Sequence, residues 1–147
     1  LEWLGKAGFD DMHATYAQYY SGAGVINFAA TKDDIILYND LVKVWVDIET
    51  NEVIGADARN YLFSHTEREM PTPSVSPEEA EAKVSVNLEI ESRELALIPI
   101  TVEMERLCYE FKGRCGEDEY IVYIDAQTGA EQQIFVIINT ENGQLTA

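Results

Sequence analysis

The strongest constraint in this 147-residue chain is a strand and its turn that occur twice. Residues 42–52 read VKVWVDIETNE, and residues 120–130 read YIVYIDAQTGA. An internal repeat fixes architecture ahead of any single motif, because two stretches of one pattern call for one local structure. Val42, Val44 and Val46 alternate in the first copy, as Tyr120, Val122 and Ile124 do in the second. Trp45 and Tyr123 share the opposite face, so the period is two and the element is a strand. Asp47 and Asp125 then open a turn, and Thr50 and Thr128 precede Asn51 and Gly129. Glycine and asparagine tolerate a left-handed backbone best, which predicts one hairpin geometry in both copies.

The repeat implies two units of about 70 residues, a size at which an isolated core is marginal. We therefore expect units over 1–70 and 71–147 that pack against each other. Leu1, Leu4 and Ala7 recur at helical spacing and Gly8 would end that helix. The chain thus starts inside a helix, which predicts a native start further upstream. Strands are expected over 12–20, 25–30, 36–48 and 53–63, the last weakened by Gly55, Asp57 and Asn60. Residues 65–76 (HTEREMPTPSVS) are polar and hold Pro71 and Pro73, so they form a linker.

A second helix start follows. Ser76, Pro77 and Glu79 make a capping box, and Ala80, Val84 and Leu88 mark a buried stripe behind it. Four more strands are expected over 94–100, 104–112, 119–125 and 133–139, with Pro99 placing an edge or bulge in the first. A helix followed by a run of strands, twice over, predicts an α+β fold. Each unit would be a short helix packed on an antiparallel sheet of about four strands, the first helix incomplete.

Charge narrows the partners. Ten basic against 27 acidic side chains give a net charge of −17, spread over both halves. Phosphate backbones need a basic surface, so nucleic acid is an unsuitable ligand. Cys108 and Cys115 match no zinc spacing. With a hairpin turn expected over 113–119, Cys108 lies several residues, at about 3.3 Å each, from Cys115. That is too far for a disulfide, so both are expected as free thiols.

The stretch SPEEAEAKV, the strands after it and YIVYIDAQTGAE together resemble the PepSY domain. The shared turn is Asp125, Thr128 and Gly129. GFDDMHATYAQYYSGAGVINFAA, LVKVWVDIETNEVIGADARNYLFSHT and FVIINTENGQLTA extend the resemblance over the whole chain, to the C-terminal part of the YpeB family of spore germination proteins. Asn51 departs from the family's turn glycine. The resemblance implies tandem PepSY units in a non-enzymatic protein of the spore, on the extracytoplasmic side of the inner membrane or in the cortex. It implies an N-terminal membrane anchor outside these residues. It also implies a partner, the cortex-lytic enzyme SleB, each protein depending on the other in the dormant spore. A generic extracytoplasmic PepSY module that inhibits a peptidase is the alternative it leaves open. It carries no functional residues with it, and no cofactor.

The residues themselves add no catalytic or metal site. Asp47 and Asp125 are the one pair of acids at equivalent positions, and each stands where aspartate caps a turn. His13 falls in a strand and His65 at the end of the first unit, neither beside a nucleophile motif. The acid clusters TKDD (31–34) and GEDE (116–119) lack the spacing of a calcium loop. Trp45 and Tyr123 are expected to pack in a core or against the other unit, and of Tyr16, Tyr19 and Tyr20 at least one should face solvent or a partner.

Overall fold

The computed structural model describes residues 1–141 and 143–147. The chain divides into two compact units, the first of residues Leu1–Arg68 with Asn139–Gln144 and the second of Glu69–Ile138 with Leu145–Ala147.

In the first unit, α1 (Glu2–Lys6) leads into four antiparallel strands: β1 (Met12–Tyr20), β2 (Ala23–Lys32), β3 (Ile35–Asp47) and β4 (Val53–Asp57). They pair in chain order, β1 with β2, β2 with β3 and β3 with β4. Gly8 takes a φ of 88° after α1, the left-handed stop that the sequence predicts. Leu4 on α1 is 1% exposed and packs with Phe28, Val42 and Val44, so the alternating valines of the first repeat copy form the face beneath the helix. The fourth strand is shorter than expected. It ends at Asp57, and α2 (Arg59–Ser64) occupies the rest of that segment. Asp57 Oδ1 accepts from the Arg59 amide at 3.0 Å, and this local bond turns the chain away from the ladder.

In the second unit, α3 (Pro77–Glu81) precedes β5 (Glu89–Thr101), β6 (Met104–Cys115), β7 (Asp118–Asp125) and β8 (Glu131–Thr140). β6 pairs with β5 and β7, and β7 with β8. The capping box is formed: Glu79 N donates to Ser76 Oγ at 3.2 Å and Ser76 N to Glu79 Oε2 at 2.9 Å. The helix itself stops early. Its expected stripe runs to Leu88, but helical structure ends at Glu81 and turns carry the chain to β5. Ser85, Val86 and Asn87 are poor helix formers, and the Ser85 hydroxyl takes the Asn87 amide at 3.3 Å. Pro99 lies beside a register shift in the β5–β6 ladder, the bulge that proline predicts. The expected 113–119 turn contracts to Gly116 and Glu117, and Gly113 becomes part of β6.

Sheet dominates more than a helix on about four strands would require. Among the described residues there are three helices of five or six residues against nine strands. The ninth, β9 (Gly143–Thr146), has no counterpart in the sequence reading. Its Gly143 pairs with Gln18 of β1.

The duplicated turn matches bond for bond. Asp47 Oδ1 accepts from Glu49 N at 2.8 Å and Thr50 N at 3.0 Å. Asp125 Oδ1 accepts from Gln127 N at 2.7 Å and Thr128 N at 3.0 Å. Asn51 N donates to Asp47 O, and Gly129 N to Asp125 O, each at 2.8 Å. Asn51 and Gly129 have φ values of 58° and 73°. A Cβ on Gly129 would meet only ordinary contacts at Val75 and Lys83, so the left-handed backbone alone opposes a side chain there. Gly129→Ala is therefore expected to cost about 1–2 kcal/mol in urea unfolding; no change in midpoint would mean the turn relaxes freely.

Candidate functional site

Several carboxylates that could do chemistry are held in structural contacts. Asp47 and Asp125 cap their turns. Amides of Thr50 and Glu49 hold the Asp47 carboxyl below its ordinary range. Asp57, bonded by the Arg59 side chain and backbone, lies at about 2. Hydrogen bonds from Ser76 lower Glu79. Each depressed carboxyl stabilises the fold above its ordinary pKa near 4, and that contribution disappears as pH falls through the folded value.

Two acids are fully enclosed. Asp40 is 0% exposed. It accepts from His65 Nδ1 at 2.8 Å and from Arg68 Nη2 at 3.0 Å. Tyr61 stacks on His65 with ring centroids 4.3 Å apart. His65 is thus bound to β3 by a buried carboxylate, in a place the sequence reading treats as linker. Glu110 is 1% exposed, accepts from the Tyr123 hydroxyl at 2.6 Å and lies 3.3 Å from Lys112 Nζ. Tyr123 also meets Phe135 edge-on, so its place in a core is confirmed. Trp45 is half-buried, its side chain 3.9 Å from where a Cβ of Gly55 would lie. Tyr16, Tyr19 and Tyr20 are all exposed, and His13 is half-buried in β1. Among the described residues no three His, Cys, Asp or Glu side chains converge as a metal ligand set.

The two thiols share β6 but differ in setting. Cys108 is buried and Cys115 exposed. Burial first, then the Asp125 charge, pushes the Cys108 thiol up to about 12. A thiol reagent at pH 8 is expected to modify one cysteine per chain quickly and the second only on unfolding; two fast equivalents would contradict this burial.

The second unit also carries an open apolar surface. In the second unit α3 and the turns after it cover only part of the sheet face they lie on. Beside them runs an open groove of about 210 Å³, with Val84, Leu88, Tyr120, Val122 and Ile134 as its apolar walls. Ser85, Cys115 and Glu131 complete the lining. Tyr120 and Val122 belong to the repeat, but no spacing in the sequence joins them to Ile134 and Leu88. Only the β7–β8 register, which sets Val122 opposite Ile134, does so.

Comparison with known proteins agrees with this architecture. Residues 1–71 match the model described as YpeB sporulation, PepSY1 and PepSY2 domains, and residues 74–135 match PepSY, peptidase propeptide and YPEB domain. The PepSY class is thereby defined. The "Sporulation protein YpeB" of Bacillus subtilis is 32% identical over 143 residues, 96% of this chain and 32% of that protein. Its namesake in Halalkalibacterium halodurans is 31% identical over 90% of this chain and 30% of that protein. The solved Bacillus megaterium YpeB C-terminal domain superposes with a TM-score of 0.85 at 31% identity, covering 94% of this chain and 62% of that one. The chain belongs to the YpeB family of sporulation proteins. It spans about a third of the length of the curated relatives it matches.

Proposed function

We propose that the chain is a non-catalytic docking module of tandem PepSY units that binds the cortex-lytic enzyme SleB and holds or stabilises it in the dormant spore. In this reading it works on the extracytoplasmic side of the inner spore membrane or in the cortex, with an anchor supplied by sequence outside these residues. One observation carries the proposal: in a sporulation family, the enclosed acids Asp40, Glu110 and Asp125 all serve structural contacts while an apolar groove stays open. Buried carboxylates with protein partners stabilise a scaffold, whereas open apolar surface gains free energy when a partner covers it.

The test is to mix purified chain with SleB and follow both co-elution and cortex hydrolysis. Association, with a changed hydrolytic rate or a longer enzyme lifetime, is expected. Independent elution with unchanged hydrolysis and lifetime would refute the proposal. A second reading, a module that inhibits a peptidase, has its support in the peptidase propeptide model matched by residues 74–135. A protease panel assayed with and without the chain separates the two, since inhibition there with no effect on SleB favours the second.

A further inference from the structure

The groove in the second unit exists because a helix of five residues is too short to cover a four-stranded sheet. Past Glu81 the chain turns inward at Val84, which is 7% exposed, and at Leu88, which is half-buried, while Ser85, Val86 and Asn87 between them are exposed. The β8 side of the face is left partly open. Ile134 is 50% exposed and Ile138 44%, and the two-residue period of a strand puts both on one side.

The charge around this apolar floor is mostly acidic. Glu131 is the charged residue among those lining the groove. Glu89 follows Leu88 in the chain, and Glu117 and Asp118 follow Cys115 by two and three positions, all of them exposed. Four of the unit's five cations are held in ion pairs. Arg114, next to Cys115, is paired with Glu91 at 2.9 Å and with Glu119 at 2.6 Å. Arg93 pairs with Glu81, Arg106 with Asp125 and Lys112 with Glu110. Lys83 lies with its stem 3.9 Å from where a Cβ of Gly129 would stand, at the Asp125 turn. The groove therefore offers desolvation to an apolar side chain and a net negative rim to whatever flanks it.

We propose that this groove is the docking site for a partner protein segment that presents an apolar side chain flanked by lysine or arginine. The assignment rests on the reading of the chain as a binding module and names the surface and the chemistry of its partner. The apolar anchor would sit on Val122 and Ile134 against the wall formed by Val84 and Leu88. The cations beside it would meet Glu131 and the acids of the β6–β7 tip. Burial supplies the holding free energy, while the charges select the segment and speed its arrival.

Two synthetic peptides test this on the intact chain: a central Leu-Phe pair flanked by lysines, and the same pair flanked by glutamates. The lysine peptide is expected to bind about tenfold or more tightly than the glutamate peptide, with the difference shrinking as salt is added. It should also slow alkylation of Cys115. Ile134→Glu and Ser85→Trp, both at exposed positions and checked for folding by circular dichroism, should each weaken it by about tenfold. Equal binding of the two peptides, binding of neither, or unchanged binding by both variants overturns the assignment. If the hydrolase of the proposed function associates equally with wild type and Ile134→Glu, the groove falls and the binding function stands. If wild type fails to associate with it while the lysine peptide binds, the function falls and the groove stands.

Discussion

Asp40→Ala is expected to destabilise the first unit by about 3 kcal/mol, the lower end of what breaking a buried ion pair costs. The carboxylate is 0% exposed, whereas the Arg68 side chain is 19% and the His65 side chain 40% exposed. Removing Asp40 leaves Arg68 with its charge still largely shielded from water, and that, more than the lost attraction, sets the penalty. Because Arg68 can turn partly to solvent, the upper end of the range is not reached. The loss extends to the chain that the carboxylate fastens. Lys32 Nζ donates to the Arg68 carbonyl at 2.8 Å, and Arg68 Nη1 to the Ser64 carbonyl at 3.3 Å, so the segment after α2 is tied to β2 and β3 together. Urea unfolding followed by tryptophan emission reads the effect. The double replacement Asp40→Leu with Arg68→Met should recover more than half of it, because no charge is then left enclosed. A single variant that loses less than about 1 kcal/mol would show the cluster to be a surface pair.

The same cluster shows where sequence reading stops. The repeated strand and turn, the capping box and the bulge at Pro99 are legible because each depends on residues a few positions apart. Asp40 and Arg68 are 28 positions apart, and nothing in either segment marks them as partners. Asn27 is equally silent: it reads as an ordinary polar strand position, yet its side chain is 1% exposed and its amide meets no protein partner among the described residues. The helix at 59–64 is lost to a strand pattern because Asp57 decides it through a single bond to a backbone amide. The groove is illegible for a different reason. It is a consequence of the space α3 leaves uncovered, and Leu88, which extends the helical stripe on paper, becomes a wall of that space. A periodicity reports which residues turn inward, not whether the backbone between them stays helical.

Gly113→Ala is the second large effect expected, about 3 kcal/mol, and it follows from a residue whose part was misplaced by pattern. In sequence Gly113 marks the start of a turn; in the structure it lies inside β6, opposite Ile90 and beside the register shift between Ile90 and Ser92. A Cβ built there would stand 2.4 Å from the Glu89 carbonyl oxygen and 3.0 Å from Leu88 Cγ. The nearer obstacle is backbone, so no rotamer change relieves it and β5 must move away from β6. Overpacking costs about 1–3 kcal/mol where side chains can adjust, and a rigid carbonyl puts this case at the upper limit. Leu88 forms one wall of the groove, so the displacement also reaches the proposed docking site. Gly113→Ala should then lose stability and, in conditions where it remains folded, bind the lysine-flanked peptide more weakly than wild type. Serine at the same position should behave like alanine, since both add a Cβ at the same point. Near-wild-type stability in both variants would mean that the close approach of Glu89 to Gly113 is not maintained in solution, and the wall built on Leu88 would lose its physical basis.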